Sequence, residues 1–259
     1  MTFLAGSCLN PKHTTMSSIR YIFLVLLLFL AASLRSQTFI DFESGVVSSG
    51  YNDVRIPGDG GTLISLKDDI KPESKAFFRL RGGYRINRHT FSLLYAPLTI
   101  NGKGSMNKPV IFDDASFPAN TELRSTYRFN SYRLTYRYDI VKKEALEFGL
   151  GFTAKIRDAE ITLQSSQSKG TKTNVGFVPI VNFRLHWHMN DRLGLLLDGD
   201  ALGAKQGRAE DVMLAATWKF WEIFTLRAGY RILEGGADND EVYNFTLLNY
   251  GVAGLTIGL

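Results

Sequence analysis

The sequence predicts an all-β chain: a transmembrane antiparallel up-and-down barrel of ten strands, with eight as the alternative, behind a cleaved N-terminal leader. Three observations carry this reading. Apolar and polar residues alternate with a period of two along most of the chain, the connections between these runs are alternately short and long, and the polar faces hold glycine, threonine and arginine.

The leader comes first. Ile19-Arg20 opens into YIFLVLLLFLAAS, a basic residue, an apolar run of roughly 10 to 13 residues and then small residues, too short for the roughly 20 residues of a spanning helix. This is the pattern of a secretory signal peptide, with cleavage before Leu34 or before Gln37. Met16 serves as well as Met1 for the true start, because it sets the basic residue and the apolar run at normal spacing. Residues 1–36 are thus read as an upstream extension and signal peptide, and residues 37–259 as the barrel. Cys8, the only cysteine, lies in LAGSC and lacks the preceding apolar run of a lipoprotein site.

Loss of the leader removes Lys12, Arg20 and Arg35 and no acidic residue, so the net charge falls from +5 to about +2 (5 − 3). That is weak attraction for a polyanion. Without cysteine, roughly 220 residues must be held by packing and backbone pairing.

The strands follow from parity. From Leu146 to Arg157 the even positions read Leu, Phe, Leu, Phe, Ala, Ile and the odd ones Glu, Gly, Gly, Thr, Lys, Arg. The same split recurs over Tyr132–Ile140 and Phe224–Ile232. Ten strands are expected at 39–48, 75–87, 90–100, 121–140, 146–163, 172–188, 192–201, 209–221, 224–234 and 242–259. In a membrane barrel the apolar face meets lipid and the polar face lines the lumen. The lumen is then expected to hold an ion-pair network of Arg79, Arg81, Arg133, Arg137, Lys155, Arg157, Asp198, Asp200, Arg227 and Arg231, with Asp41, Glu43 and Glu147 as further carboxylates.

Connections at 87–89, 141–145, 189–191 and 222–223 are short, whereas 49–74, 101–120, 164–171, 202–208 and 235–241 are longer. Both termini fall on the short-turn side, and Trp187, Trp218 and Trp221 lie at the short-turn strand ends, where an interfacial aromatic girdle belongs. The chain ends GLTIGL, Gly254 to Leu259. This resembles the final strand of bacterial outer-membrane β-barrels, although the family usually ends in phenylalanine. The resemblance implies the outer membrane of a Gram-negative cell, contact with lipid and lipopolysaccharide, and recognition of the last strand by the barrel assembly machinery. A monomer is favoured.

Chemistry is sparser. YRILEGGADNDEVYNF, Tyr230 to Phe245, reads as a hairpin whose acidic tip, Glu234, Asp238, Asp240 and Glu241, also offers a divalent-cation loop, without the fixed spacing of a calcium loop. His89, His186 and His188 all fall at short-turn ends, away from the outer rim where resembling barrel enzymes place a histidine. No catalytic residue, metal or cofactor is therefore assigned, although His186 and His188 share a face. In YRLTYRYD, Tyr132 to Asp139, the tyrosines occupy one face and the arginines the other, which argues against a nucleic-acid platform. Pro97 and Pro179 interrupt two strands in their outer halves and mark bulges or a lateral gap. The function expected is a narrow porin-like or small-ligand conduit. A structural or adhesive barrel acting through loops 49–74 and 101–120 is the alternative, and an enzyme acting on lipid or peptide stands behind both.

Overall fold

The computed structural model describes residues 36–204 and 207–259. The signal-peptide reading up to residue 35 and Cys8 lie outside the described residues, whereas Ser36, upstream of the second cleavage choice, begins β1. In chain order the strands are β1 (Ser36–Arg55), β2 (Ile64–Ser65), β3 (Lys75–Ile86), β4 (His89–Ala96), β5 (Thr99–Gly104), β6 (Val110–Phe112), β7 (Ala115–Phe117), β8 (Leu123–Lys142), β9 (Leu146–Gln164), β10 (Lys169–His188), β11 (Leu193–Ala204), β12 (Gly207–Lys219), β13 (Phe224–Asp238) and β14 (Tyr243–Gly258).

Each wall strand pairs antiparallel with its chain neighbour, and β14 closes on β1 from Phe39↔Gly258 to Arg55↔Tyr243. Counting β4 and β5 as one interrupted strand, the wall has ten staves, in the positions the alternation predicts. Pro97 causes the interruption: β4 pairs β8 up to Ala96↔Ser131 and β5 resumes at Thr99↔Arg128. Above that point β3 and β5 separate, and residues 70–74 bridge them through Pro72↔Gly102 and a Glu73 N–H donating to the Asn101 carbonyl. Pro179 keeps its place in β10 opposite Ala154, facing outward.

The strands are longer than a membrane requires. At about 3.3 Å per residue and a tilt near 40°, the 20 residues of β8 climb roughly 50 Å, about twice a ~25 Å lipid band. The extra length has the opposite polarity. Along the lower β8, Tyr132, Leu134, Tyr136, Tyr138 and Ile140 point out while Arg133, Thr135, Arg137 and Asp139 point in. Above Ser131 the faces exchange: Arg124 and Arg128 point out, and the inward Leu123 and Tyr127 are buried. On β9 the outward row changes from Phe152 and Ile156 to Asp158 and Glu160, and Ile161 and Leu163 are buried inside. The lower barrel is thus built for lipid and the upper collar for water.

Two expected loops are part of this collar. β1 runs to Arg55 instead of ending near residue 48, and residues 101–104 belong to β5, because pairing with β14 and β8 continues above the lipid band. The remaining residues of both connections fold into the mouth as a cap. Thr62 donates to the Ile111 carbonyl and Asp113 to that of Ile56, tying the first connection to the β6–β7 hairpin. Ile56, Ile64, Ile70, Phe112 and Phe117 then form an apolar core with Leu123, Tyr127, Ile161 and Leu163 of the wall. Gly170 on β10 admits this cap, since a Cβ there would stand 2.6 Å from the Phe112 carbonyl oxygen.

Candidate functional site

The lumen is crossed at mid-height by a layer of charge. Parity points Glu43 from β1, Arg79 from β3, Arg133 from β8, Asp200 from β11, Asp211 from β12 and Arg231 from β13 at one another. Asp211 accepts from Arg79 at 2.9 Å, Arg133 at 2.5 Å and Arg231 at 2.5 Å. Arg133 also bonds Asp200 at 2.7 Å, and Arg231 and Arg227 each reach Glu43 at 2.9 Å. Arg227 pairs as well with Asp41. All of these side chains are buried or nearly so. Burying single ions is costly, and the layer meets that cost by balancing four guanidiniums, Arg79, Arg133, Arg227 and Arg231, against four carboxylates, Asp41, Glu43, Asp200 and Asp211. Thr153 and the Asn182 amide donate to the remaining Asp200 oxygen at 2.6 and 2.9 Å.

A second group lies nearer the inner mouth. Asp198 is approached by Arg81 at 3.4 Å, Arg184 at 3.5 Å and Arg137 at 3.9 Å, and Arg137 also faces Asp139. Glycines make room for these side chains. A Cβ on Gly254 would overlap the Arg227 guanidinium, and one on Gly149 would crowd Arg137 and Asp139. The first glycine of GLTIGL, Gly254, thus has a packing role in the lumen.

Of the ten residues expected in the network, Arg79, Arg133, Asp200, Arg227 and Arg231 meet in the middle layer, and Arg81, Arg137 and Asp198 in the lower group. Lys155 and Arg157 join neither. Arg157 bonds the Asn174 side chain, and the buried Lys155 ammonium lies 5.0 Å from the Phe129 ring centroid. Among the described residues neither comes within 4.0 Å of a carboxylate. Asp211 was absent from the expected set although it pairs with three guanidiniums. Its inward neighbours Met213 and Ala215 are apolar, so parity alone does not mark that face as polar.

Above the layer, beside the cap, an outward-facing cup of about 670 Å³ opens. Phe129, Ile161, Val178 and Leu233 contribute apolar wall, Lys155 and Arg157 bring positive charge on the side of the layer, and Glu160, Lys172, Arg208, Asp240 and Glu241 also line the space. Below the layer a smaller space of about 110 Å³ is lined by Asp41, Arg81, His186, Asp198 and Arg227. The charged layer lies between the two.

The acidic tip does not gather. Glu234 points outward from β13 into the Arg208 guanidinium, at 2.6 and 2.7 Å, and accepts from the Tyr51 hydroxyl. Bonding to Arg208 holds the Glu234 carboxyl below its ordinary value of 4.5 and raises the Arg208 guanidinium. Glu241 reaches Lys172 at 3.5 Å, while Asn239 closes the turn by accepting from Glu241 and Val242 N–H. Asp238 and Asp240 are exposed.

His89 faces outward, where it bonds and stacks with Tyr136, while Trp187, Trp218 and Trp221 are exposed at the short-turn ends of other strands. It therefore does not line the inner mouth. His186 and His188 do face inward, and β9 brings Glu147 opposite His186. That cross-strand register has no signal in a single strand's sequence.

No family model matches the chain, and no curated protein matches its sequence. The outer membrane protease OmpT from Escherichia coli is similar in structure at a TM-score of 0.51, with 10% identity over 86% of this chain and 97% of that one. The fold is that of an outer-membrane β-barrel. Looser matches are Ail, the attachment invasion locus protein of Yersinia pestis, in complex with sucrose octasulfate (TM-score 0.37, 11% identity, 85% and 99% coverage), and Neisserial surface protein A (0.32, 14%, 86% and 96%). The apolar lower band of this barrel suits lipid, exposed aromatic residues sit at its short-turn edge, and the polar collar lies beyond its other edge.

Proposed function

We propose that this barrel is a receptacle at the cell surface that takes a small amphiphilic anion into its outer cup. The observation that carries the reading is Lys155: a buried ammonium with no carboxylate within 4.0 Å among the described residues, lining a largely apolar-walled space of about 670 Å³. Pockets of roughly 300–1,000 Å³ suit small molecules, and apolar walls with a few convergent polar groups fix their orientation. A carboxylate or phosphate head at Lys155 and Arg157 supplies the missing charge, and the ligand's apolar body lies along Phe129, Ile161, Val178 and Leu233.

A small-ligand conduit remains part of this reading only as entry from outside. The neutral, interlocked layer under the cup favours capture over flow. A role borne by the long connections has less support, because both are packed into the cap core and serve as scaffold. The barrel is taken to be a monomer, inserted by the assembly machinery through its last strand.

The test uses purified barrel in nanodiscs, with a long-chain alkyl carboxylate and the corresponding alcohol as probes. The carboxylate is expected to bind with a clear preference over the alcohol, and Lys155→Met removes that preference. Equal binding of both probes, or a preference that survives Lys155→Met, contradicts the proposal.

A further inference from the structure

At the inner mouth, below the charged layer and far from the cup, three ligating side chains converge. His186 stands directly opposite Glu147 in the β9–β10 register, and His188 follows two residues later on the same inward face. One ligand atom from each lies within 4.8 Å of the other two, and the two imidazole centroids are 4.0 Å apart. All three residues are partly buried, at the short-turn end of the barrel. The ion-pair layer uses neither histidine.

We infer that Glu147, His186 and His188 form a binding site for a divalent transition-metal ion of the zinc class. Two imidazoles and one carboxylate are a donor set for such ions, with a further position left to water. Thr217 contributes outside the ligand set: its hydroxyl is 3.0 Å from His186 Nε2. That contact fixes the ring and leaves Nδ1 to bind, as hydrogen-bonded supporting groups do in metal sites. Zinc bonds near 2.05 Å require ligand atoms roughly 3.3 Å apart, so the three side chains close inward by rotamer adjustment.

The surrounding charge decides which ions fit. Arg85 lies 3.8 Å from Glu147, and Arg184 stands nearby, paired with Asp198 at 3.5 Å. Two guanidiniums oppose any dication held by charge alone, so Ca²⁺ and Mg²⁺, which need several oxygen ligands, are rejected. An ion that gains its affinity from imidazole nitrogen tolerates them, and it takes the place of Arg85 at Glu147. Once bound, the ion joins β9 to β10 at the barrel's inner rim.

The experiment uses tag-free barrel folded in detergent, stripped with chelator and titrated with Zn²⁺ against a chromophoric chelator. One Zn²⁺ per barrel is expected, with no competition from Ca²⁺ or Mg²⁺. His188→Ala and Glu147→Gln should each weaken binding by at least the roughly 10- to 100-fold that supporting-group changes cost. Thr217→Val should weaken it about tenfold, and His89→Ala, on the outer face, should leave it unchanged. Heat-modifiable gel mobility checks that each variant is folded. If His188→Ala does not fold, protection of His186 and His188 from diethylpyrocarbonate by Zn²⁺ is read on the unmodified protein. Absence of Zn²⁺ binding, binding indifferent to His188, histidines unprotected by Zn²⁺, or equal competition by Ca²⁺ overturns the inference.

Discussion

Arg133 on β8 reaches across the lumen to Asp211 on β12, four staves around the wall, and its Nη2 lies 2.5 Å from Asp211 Oδ2. Opposite sides of the barrel are thus tied at mid-height. Arg79 and Arg231 converge on the same carboxylate from two further strands.

Asp211→Asn leaves three guanidiniums short of one counter-charge in a buried layer. Breaking a buried pair in this way costs about 3 kcal/mol. Urea unfolding of the detergent-folded barrel should show the midpoint fall, while the outward Glu210→Gln stays close to the parent.

Asp200→Asn should cost less, about 1–3 kcal/mol, because Arg133 keeps Asp211. Each acid backs up the other at Arg133, so the double variant should lose more than the two single losses added together. Strict additivity in a double-mutant cycle would show that the layer does not act as a unit.

Exchange of face polarity along β10 gives a second kind of contrast. Val181 and Thr173 point outward on the same strand, Val181 in the apolar band and Thr173 opposite Glu160 in the collar. Val181→Arg should cost about 2–4 kcal/mol if it lies near the membrane midplane, and Thr173→Arg close to nothing. Folding yield into vesicles, read by gel mobility, separates the two.

The Tyr51–Glu234–Arg208 cluster stands in the collar, outside the lipid band, and makes stability depend on acid. Its bond to Arg208 lowers the Glu234 carboxyl, so the contribution is present above the ordinary value of 4.5 and is lost as pH falls through the lowered folded-state value. The gap in thermal midpoint between the parent and Glu234→Gln should be open at neutral pH and close in acid. A gap that widens in acid would contradict this assignment.

Much of the fold was legible because its signals are local. Parity over Leu146–Arg157, the short links at 87–89 and 222–223 and the three tryptophans together gave ten staves. The collar was equally present in the parity of Asp158 and Glu160 against Ile161 and Leu163, but an apolar face followed by a polar one reads as a strand end when lipid is assumed throughout. The cap was hidden for a different reason. Ile56, Ile64, Phe112 and Phe117 are far apart in two irregular connections, and only the tertiary fold brings them together. The place of Asp211 depended on cross-lumen geometry and the pairing of Glu147 with His186 on cross-strand register, and neither relationship leaves a mark within one strand.

The central claim is that the lumen is closed at mid-height and the outer cup ends on that closure. Planar-bilayer recording of the purified barrel tests it most directly. The parent protein should insert without opening a steady channel, and weakening the layer with Asp200→Asn together with Asp211→Asn should bring on ion flow. A stable ohmic conductance in the parent, indifferent to both substitutions, would contradict the claim.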